Sequence, residues 1–332
     1  MVELSSTAKG TYRLEGYSIS PLPKDAVVDG NVMNLDAVVN AIKLAWKLLS
    51  SREKRAAFAL PSSAVISKKV IMQSGLREDD MEAQVEGEAN QYIPFSLDEV
   101  NIDFQVLGPV STNAEEVEVI IAAARKEKIE DRVAAAEAAG LKVIVMDVET
   151  YATEAAYYLV ANQLPNGGKG QTVMIVDVGA QGMHINVMQD ERSIYTREQT
   201  FGGTQLTQEI QRRFGLSAEE AEIAKRKGGL PDSYDTEVLQ PFVQSLATEV
   251  ARALQFFTGS TQYNRVDHIV LAGGCAAIDG VEVMVQDQAQ VNTIVANPFH
   301  EMSVSNRVKQ HQVNFDAPVL LIACGLAMRG VV

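Results

Sequence analysis

The sequence has little of what marks secreted, membrane-spanning or metal-binding proteins. Cys275 and Cys324 are its only cysteines, too few for a disulfide framework. Its best apolar run, around residues 319–328, is about ten residues long, well short of the ~18 to 20 residues that span a bilayer. Four scattered histidines without Cys/His spacing argue against a metal centre. The first residues lack the basic and apolar regions of a signal peptide, so we expect a cytoplasmic protein.

Basic residues are missing from one long stretch of the chain. From Glu78 to Ala124 there are twelve Asp or Glu and no Lys or Arg, and the whole chain carries a net charge of −14. Nucleic-acid binding needs clustered Lys and Arg to neutralise phosphates, so this charge argues against it. The composition, 46% hydrophobic and 22% charged, is that of a globular protein, and 332 residues suffice for two or more packed units.

The acidic stretch also has its own predicted secondary structure. Met81, Val85, Ala89 and Tyr92 share one stripe of a helix that starts at Glu78, and Pro94 stops it. Strands are predicted at 100–106 and 117–124, and a second helix at 126–139 ends at glycine 140. This helix–strand–strand–helix insert interrupts an α/β pattern, with a helix at 35–50 and strands at 56–60, 65–72 and 141–147.

The second half of the chain repeats the α/β pattern of the first half. A strand at 172–178, a glycine turn and a hairpin are followed by helices at 203–214, 217–227 and 236–257, a strand at 268–272 and a closing helix at 319–328. The hairpin with strands at 2–4 and 12–20 resembles the later hairpin with strands at 185–187 and 193–201, which indicates duplicated halves. Because no strand precedes the first hairpin, we expect that roughly a dozen or more N-terminal residues of the natural protein are missing.

Two glycine-rich turns could bind phosphate or nucleotide. Asp177 ends a strand, and Gly179 and Gly182 lie in the following turn, where backbone N–H groups can approach anionic oxygens and an aspartate can hold a Mg²⁺-bound water. The alternative is a tight β-turn in which Asp177 bonds its own backbone. Gly273 and Gly274 follow a second strand at a predicted helix start, which could equally be a structural turn. The spacing is not that of the dinucleotide-binding fingerprint.

Two further groups fit the same site. Gly202, Gly203 and Thr204 lie where a strand turns into a helix, and Glu222 and Lys225 are one helical turn apart. Glu222 and Lys225 alone could also be an ordinary surface ion pair.

The order of these groups along the chain is more specific than any one of them. The groups are preceded by residues 147–152 and followed by Ala323-Cys324-Gly325-Leu326-Ala327. In this order they resemble the motifs of the actin, Hsp70 and sugar-kinase superfamily. That resemblance implies an α/β protein with the actin-like ATPase fold, made of two duplicated RNase H-like domains that clamp ATP and Mg²⁺. The residues that it assigns to the nucleotide are Asp177 (to Mg²⁺ through water), Gly179, Gly182, Gly202, Gly203, Thr204, Glu222, Lys225, Gly273 and Gly274.

The acidic insert narrows the resemblance from a superfamily to one family. Its position is similar to that of the FtsA-type inserted subdomain, and Gln91-Tyr92-Ile93-Pro94-Phe95 with its flanking residues resembles the PilM family of type IV pilus assembly proteins over essentially the whole chain. This implies a scaffold for pilus assembly and twitching motility, peripheral at the inner membrane of a Gram-negative bacterium, that binds the N-terminal cytoplasmic peptide of PilN in a groove beside the insert. The implied contacts are Glu86, Glu88, Met81, Val85 and Tyr92.

Several alternatives stay open. The acidic residues could be a solvated face, and Met81, Val85 and Tyr92 the core of the insert. The first phosphate loop of the superfamily is missing, and no Ser or Thr lies between Gly179 and Asn186, so we expect at most a slow ATPase. Glu149, and after it Asp147, is the candidate to orient a catalytic water, although Asp147 or Thr150 could instead cap a helix. Pilus motor ATPases and self-association are further partners that the resemblance leaves open.

Two rival functions remain on the sequence alone, a small-molecule kinase or phosphatase of the superfamily and an FtsA-like filament protein. The predicted domains are a first actin-like domain, 1–75 and 141–170, with the acidic subdomain 76–140 inserted. A second domain core follows, 171–205 and 266–316, with a helical subdomain, 206–265, and a closing helix, 317–332.

Overall fold

The computed structural model describes residues 1–7, 11–110 and 113–330. They form two compact units, one of residues 18–149 and the other of residues 1–17 together with 150–332. This division differs from the predicted one, which placed the first 75 residues in a single domain. Within the described ranges, no helix is both long enough and apolar enough to cross a membrane.

The elements up to residue 148 begin with four short strands, after which each helix is followed by one or two strands. In chain order they are β1 (Val2–Ser6), β2 (Tyr12–Tyr17), β3 (Val27–Val28), β4 (Asn31–Val32), α1 (Leu35–Leu49), β5 (Arg55–Leu60), β6 (Val65–Gln73), α2 (Glu78–Ala89), β7 (Val100–Val110), β8 (Asn113–Arg125), α3 (Lys126–Ala138) and β9 (Lys142–Val148).

The remaining elements run from residue 149 to residue 328. They are α4 (Glu149–Ala161), β10 (Thr172–Val178), β11 (Met183–Gln189), β12 (Arg192–Gln199), α5 (Gly203–Phe214), α6 (Ala218–Lys227), α7 (Gln240–Ser260), β13 (His268–Ala272), α8 (Val281–Ala289), β14 (Asn292–Val295), β15 (Ser303–Val304), α9 (Gln310–Asp316) and α10 (Leu321–Met328).

The unit of residues 18–149 holds the acidic insert. β5 and β9 pair in parallel, and a separate antiparallel sheet has the order β6-β8-β7, so β6 and β7 are its edges. The sequence places β6 before the insert at residue 76, but β6 pairs with β8 from Val65 to Gln73, so the insert's sheet begins at Val65. Strand partners are chosen by long-range pairing, which the local pattern does not contain.

One face of this three-stranded sheet carries the core of the insert. Helix α2 packs Met81, Val85 and Ala89 against the sheet, and these side chains are 7%, 2% and 0% exposed. Their partners include Val119 and Ile121 of β8. The helix ends at Ala89, three residues before the predicted end, and Tyr92 packs against the same core from the following turn.

The other unit is built on a five-stranded sheet with the order β12-β11-β10-β13-β14. Strand β10 lies at its centre, antiparallel to β11 and parallel to β13. Successive side chains of a strand point to opposite faces, so Met174 and Val176 join a core with α7 while Val173 and Ile175 join a core with α4. Burial on both faces explains the continuous apolar run of β10.

The C-terminal helix packs closely on α4. A side chain at Gly325 would place its Cβ 1.8 Å from the carbonyl oxygen of Ala152, so the contact requires a glycine. The predicted helix after Gly273 is instead a four-residue 3₁₀ turn, Gly274–Ala277, and α8 begins only at Val281.

Candidate functional site

The turn between β10 and β11 presents backbone donors to solvent. The Gly179 N–H donates to the Gly182 carbonyl at 2.9 Å and closes the turn. The N–H groups of Ala180, Gln181 and Gly182 make no hydrogen bond to any part of the chain that the structure describes. Consecutive free N–H groups of this kind can bind an anion. Asp177 lies two residues before the turn, and burial raises the pKa of its carboxyl to about 6.

A second glycine pair packs directly on this turn. The Gly203 N–H donates to the Gly179 carbonyl at 3.0 Å, and the Thr204 N–H donates to the Ala180 carbonyl at 2.8 Å. A Cβ at Gly202 would lie 2.5 Å from the Ala180 oxygen, so this close approach of two backbones requires a glycine. The start of α5 is thereby fixed to the candidate phosphate turn.

Lys225 connects helix α6 to the start of α5 through hydrogen bonds. Its Nζ donates to Glu222 Oε2 at 2.6 Å, to Thr207 Oγ1 at 2.8 Å and to the Gly203 carbonyl at 3.4 Å. Thr207 Oγ1 donates to Glu222 Oε2 at 2.8 Å. Burial alone would raise the pKa of Glu222, but the hydrogen bonds from Lys225 and Thr207 outweigh it and lower that pKa. The pair predicted from sequence is therefore a partly buried network, and Thr207 is a member that sequence reasoning missed.

Gly273 and Gly274 complete the cluster from the end of β13. Gly273 has a φ of +83°, and a Cβ there would lie 2.5 Å from Asp177 Oδ1 and from the Val178 oxygen. No atom lies within 4 Å of the Cβ position of Gly274, so the space beside it is open. Cys275 contacts the Gly179 carbonyl at 3.8 Å, and burial raises the pKa of its thiol to about 11, so the thiol stays protonated.

The residues predicted for the nucleotide thus meet at one end of the five-stranded sheet. A nucleotide needs donors for its phosphates, a carboxylate near the metal and room for a flat base, and this end of the sheet offers free N–H groups, Asp177 and the open space at Gly274. The residues present therefore fit a bound Mg²⁺-nucleotide.

Comparisons with known proteins identify the family. The family model described as type IV pilus assembly protein PilM matches residues 1–331. The chain belongs to the PilM family. A solved PilM–PilN type IV pilus biogenesis complex is 28% identical to this chain, covers 100% of it and 95% of its own chain, and has a TM-score of 0.82.

A more distant structure, EutJ, shares the fold. The ethanolamine utilization protein EutJ from Carboxydothermus hydrogenoformans is 16% identical over 91% of this chain and 77% of its own, with a TM-score of 0.52. MreB5 of Spiroplasma citri, solved with AMPPNP bound, is 14% identical over 98% of this chain and 94% of its own, with a TM-score of 0.46. The actin-like fold and the PilM family are confirmed, and the kinase, phosphatase and filament alternatives receive no support.

The catalytic residues that the superfamily resemblance suggested lie in the unit of residues 18–149. Asp147 is near the end of β9, and its Oδ1 accepts a hydrogen bond from the Val148 N–H at 2.8 Å. Glu149 begins α4 and lies close enough to Arg132 to act on the pKa of that guanidinium. Asp177 belongs to the other unit, and a catalytic role for Asp147 or Glu149 stays a prediction.

The predicted PilN contacts divide into buried and accessible residues. Met81 and Val85 are core residues of the insert, because the helical stripe that suggested them faces the sheet, and their contact with PilN stays a prediction. Glu86 is exposed and Glu88 half-buried. The Tyr92 hydroxyl is buried without a hydrogen-bond partner among the described residues, and burial together with the Glu88 charge raises its pKa.

Proposed function

We propose that this chain binds the N-terminal cytoplasmic peptide of PilN and thereby acts as the scaffold of the type IV pilus assembly complex on the cytoplasmic side of the inner membrane. The observation that carries the proposal is the similarity, along the whole chain, to PilM in a PilM–PilN complex. The family membership and the absence of a membrane-spanning helix from the described residues fit a protein recruited by a membrane-anchored partner.

The charge of the insert supports a basic peptide as the ligand. Cytoplasmic segments next to a membrane carry an excess of Lys and Arg. Twelve Asp or Glu without any Lys or Arg between residues 78 and 124 give this part of the chain the opposite charge. Such complementarity speeds association and selects partners more than it adds affinity.

Glu88 and Tyr92 are the residues best placed to contact the peptide. Glu88 is close enough to Tyr92 to shift the pKa of its hydroxyl, and the Lys68 ammonium lies 4.2 Å from the centre of the Tyr92 ring. A buried hydroxyl without a partner is costly, and a backbone carbonyl of a bound peptide would satisfy it. The half-buried Glu88 carboxylate beside it would receive a Lys or Arg of the same peptide.

The test is calorimetric titration of a PilN tail peptide into the full chain and its variants. We expect Glu88→Lys to weaken binding at least about tenfold, and Tyr92→Phe by a smaller factor, because an ion pair and a hydrogen bond are lost. Glu137→Lys makes the same charge change on the exposed side of α3 and should leave the affinity within about twofold. Equal weakening by Glu88→Lys and Glu137→Lys would mean that only net charge matters and would contradict the placement.

We also propose that the chain binds Mg-ATP in a structural or regulatory role, with at most slow hydrolysis. The donors for the phosphates are the N–H groups of residues 180–182, and Asp177 would hold a Mg²⁺-bound water. Mg²⁺, if bound there, would partly neutralise the charge of the phosphates. Gly274→Leu fills the open space and should abolish binding of Mg-ATP in calorimetry, whereas Gly259→Ala, at a similarly open glycine of α7, should not. Binding of Mg-ATP to Gly274→Leu with natural affinity would disprove the site.

A further inference from the structure

A row of polar side chains crosses the sheet beside the candidate phosphate turn. Asp177 of β10 is directly opposite His184 of β11, and His184 is directly opposite Glu198 of β12. Side chains of directly opposed residues lie on the same face of a sheet, with Cβ atoms about 4.5 to 5.5 Å apart. His184 therefore lies on the face of the sheet that carries Asp177.

The imidazole of His184 also lies against the turn itself. The position of a Cβ at Gly182 is 3.3 Å from His184 Nε2 and 3.7 Å from Glu198 Oε1. Gly182 has no side chain, so the imidazole lies directly against the backbone at the end of the turn with the free N–H groups. No hydrogen bond joins the imidazole to the chain within the described ranges, and His184 is half-buried.

The turn lacks any other side chain that could bind phosphate on this face. No Ser or Thr occurs between Gly179 and Asn186, and Ala180 has no polar group. Gln181 is exposed in the turn before β11, and strand pairing places His184, not Gln181, beside Asp177. His184 is therefore the residue of this turn region that can add a side-chain donor to the backbone donors.

We propose that His184 is a phosphate-binding residue, whose Nε2 donates a hydrogen bond to the phosphate chain of a nucleotide held by the turn at residues 179–182. The inference rests on the proposed binding of Mg-ATP and adds to it the side chain that recognises the phosphates. Glu198, across the strand, acts as a positioning residue that limits where the ring can turn.

The test compares ligands with and without phosphates. Calorimetry on the full chain with Mg-AMPPNP and with adenosine should show that His184→Ala weakens Mg-AMPPNP binding about ten- to a hundredfold, the range expected for a hydrogen bond to a charged group. Adenosine affinity should stay within about twofold. His184→Gln keeps a donor and should recover part of the loss, and His311→Ala, at an exposed histidine of α9, should change neither affinity.

The two proposals fail in different ways. If the natural chain binds neither Mg-AMPPNP nor adenosine, nucleotide binding itself is refuted and the role of His184 with it. If the natural chain binds Mg-AMPPNP and His184→Ala binds it equally well, only His184 is refuted. Equal losses for adenosine and Mg-AMPPNP would show a structural effect and would also overturn the assignment. A second readout is the His184 imidazole NMR signal, which should shift with Mg-AMPPNP and not with adenosine.

Discussion

Two adjacent glycines at the end of β13 have different reasons to be glycine. Gly273 has a positive φ, and any Cβ would collide with Asp177 and the Val178 carbonyl. Gly274 has open space around it and an ordinary backbone conformation. The fold therefore requires a glycine at position 273 and does not require one at position 274.

This difference predicts opposite results for two alanine variants. Gly273→Ala should lower the free energy of unfolding by roughly 2 kcal/mol or more, because it combines backbone strain with a close contact. Gly274→Ala should change it by less than about 0.5 kcal/mol. Urea unfolding followed by circular dichroism measures both. Similar losses in the two variants would contradict the assigned backbone geometry.

Asp177 makes stability depend on pH. Burial raises the pKa of its carboxyl from 3.8 to about 6, so between these values the folded chain keeps a proton that the unfolded chain has lost. The contribution of Asp177 to stability therefore falls as pH rises through this window and is constant above it.

Asp177→Asn should remove this penalty. We expect the variant to be more stable than the natural chain at pH 7.5, by roughly 1 to 3 kcal/mol given about 1.36 kcal/mol per pKa unit, and the gain to shrink as pH is lowered towards 5. Urea unfolding midpoints at several pH values, in buffer without Mg²⁺ or nucleotide, test the prediction. A variant that is less stable at every pH would show that the carboxylate stabilises the fold.

The hydrogen bonds of Lys225 hold helix α6 against the start of α5. Lys225 has three acceptors within reach and its side chain is 19% exposed, whereas Lys227 on the same helix is exposed. We expect Lys225→Met to lower the free energy of unfolding by about 1 to 3 kcal/mol, because the Gly203 carbonyl and Glu222 lose a donor. Lys227→Met should cost less than about 0.5 kcal/mol. Thermal unfolding of both variants compares their stabilities. Equal midpoints would refute the stabilising role of the Lys225 hydrogen bonds.

Elements with strong local signals could be predicted from the sequence and others could not. Strands β10 and β13 and helix α5 have the predicted bounds, since a continuous apolar run or a flanking glycine defines each of them. The sheet membership of β6 and the 3₁₀ turn after Gly273 were missed, and the inward orientation of Met81 was left open, because all three depend on contacts with distant parts of the chain. Thr207 and His184 gave no sequence motif, and only strand pairing and helix packing place them at the site.

The acidic insert gives the molecule an uneven charge. Twelve of its acidic residues lie in one stretch of 47 positions, 78–124, in a chain of net charge −14. Exposed charges attract a basic peptide over distances of about 10 Å in dilute salt, and higher salt shortens that range to about 3 Å at 1 M.

Salt should therefore weaken binding of the PilN peptide. We expect its affinity to fall at least about tenfold between 50 and 500 mM NaCl, mainly through a slower association rate. Stopped-flow fluorescence with a labelled peptide measures that rate, and a peptide with its Lys and Arg replaced by Gln is the control that should respond weakly. An association rate independent of salt would exclude electrostatic attraction by the insert.

The two open edges of the insert's sheet have a consequence for handling the protein. Strands β6 and β7 are nine and eleven residues long, and unpaired edges of this length are templates for aggregation. The exposed Lys68 and Lys69 on β6 and Pro109 on β7 oppose strand addition there. Replacing both lysines with valine would remove the charges that oppose strand addition, and we would expect the purified protein to precipitate on storage and to seed β-rich fibrils.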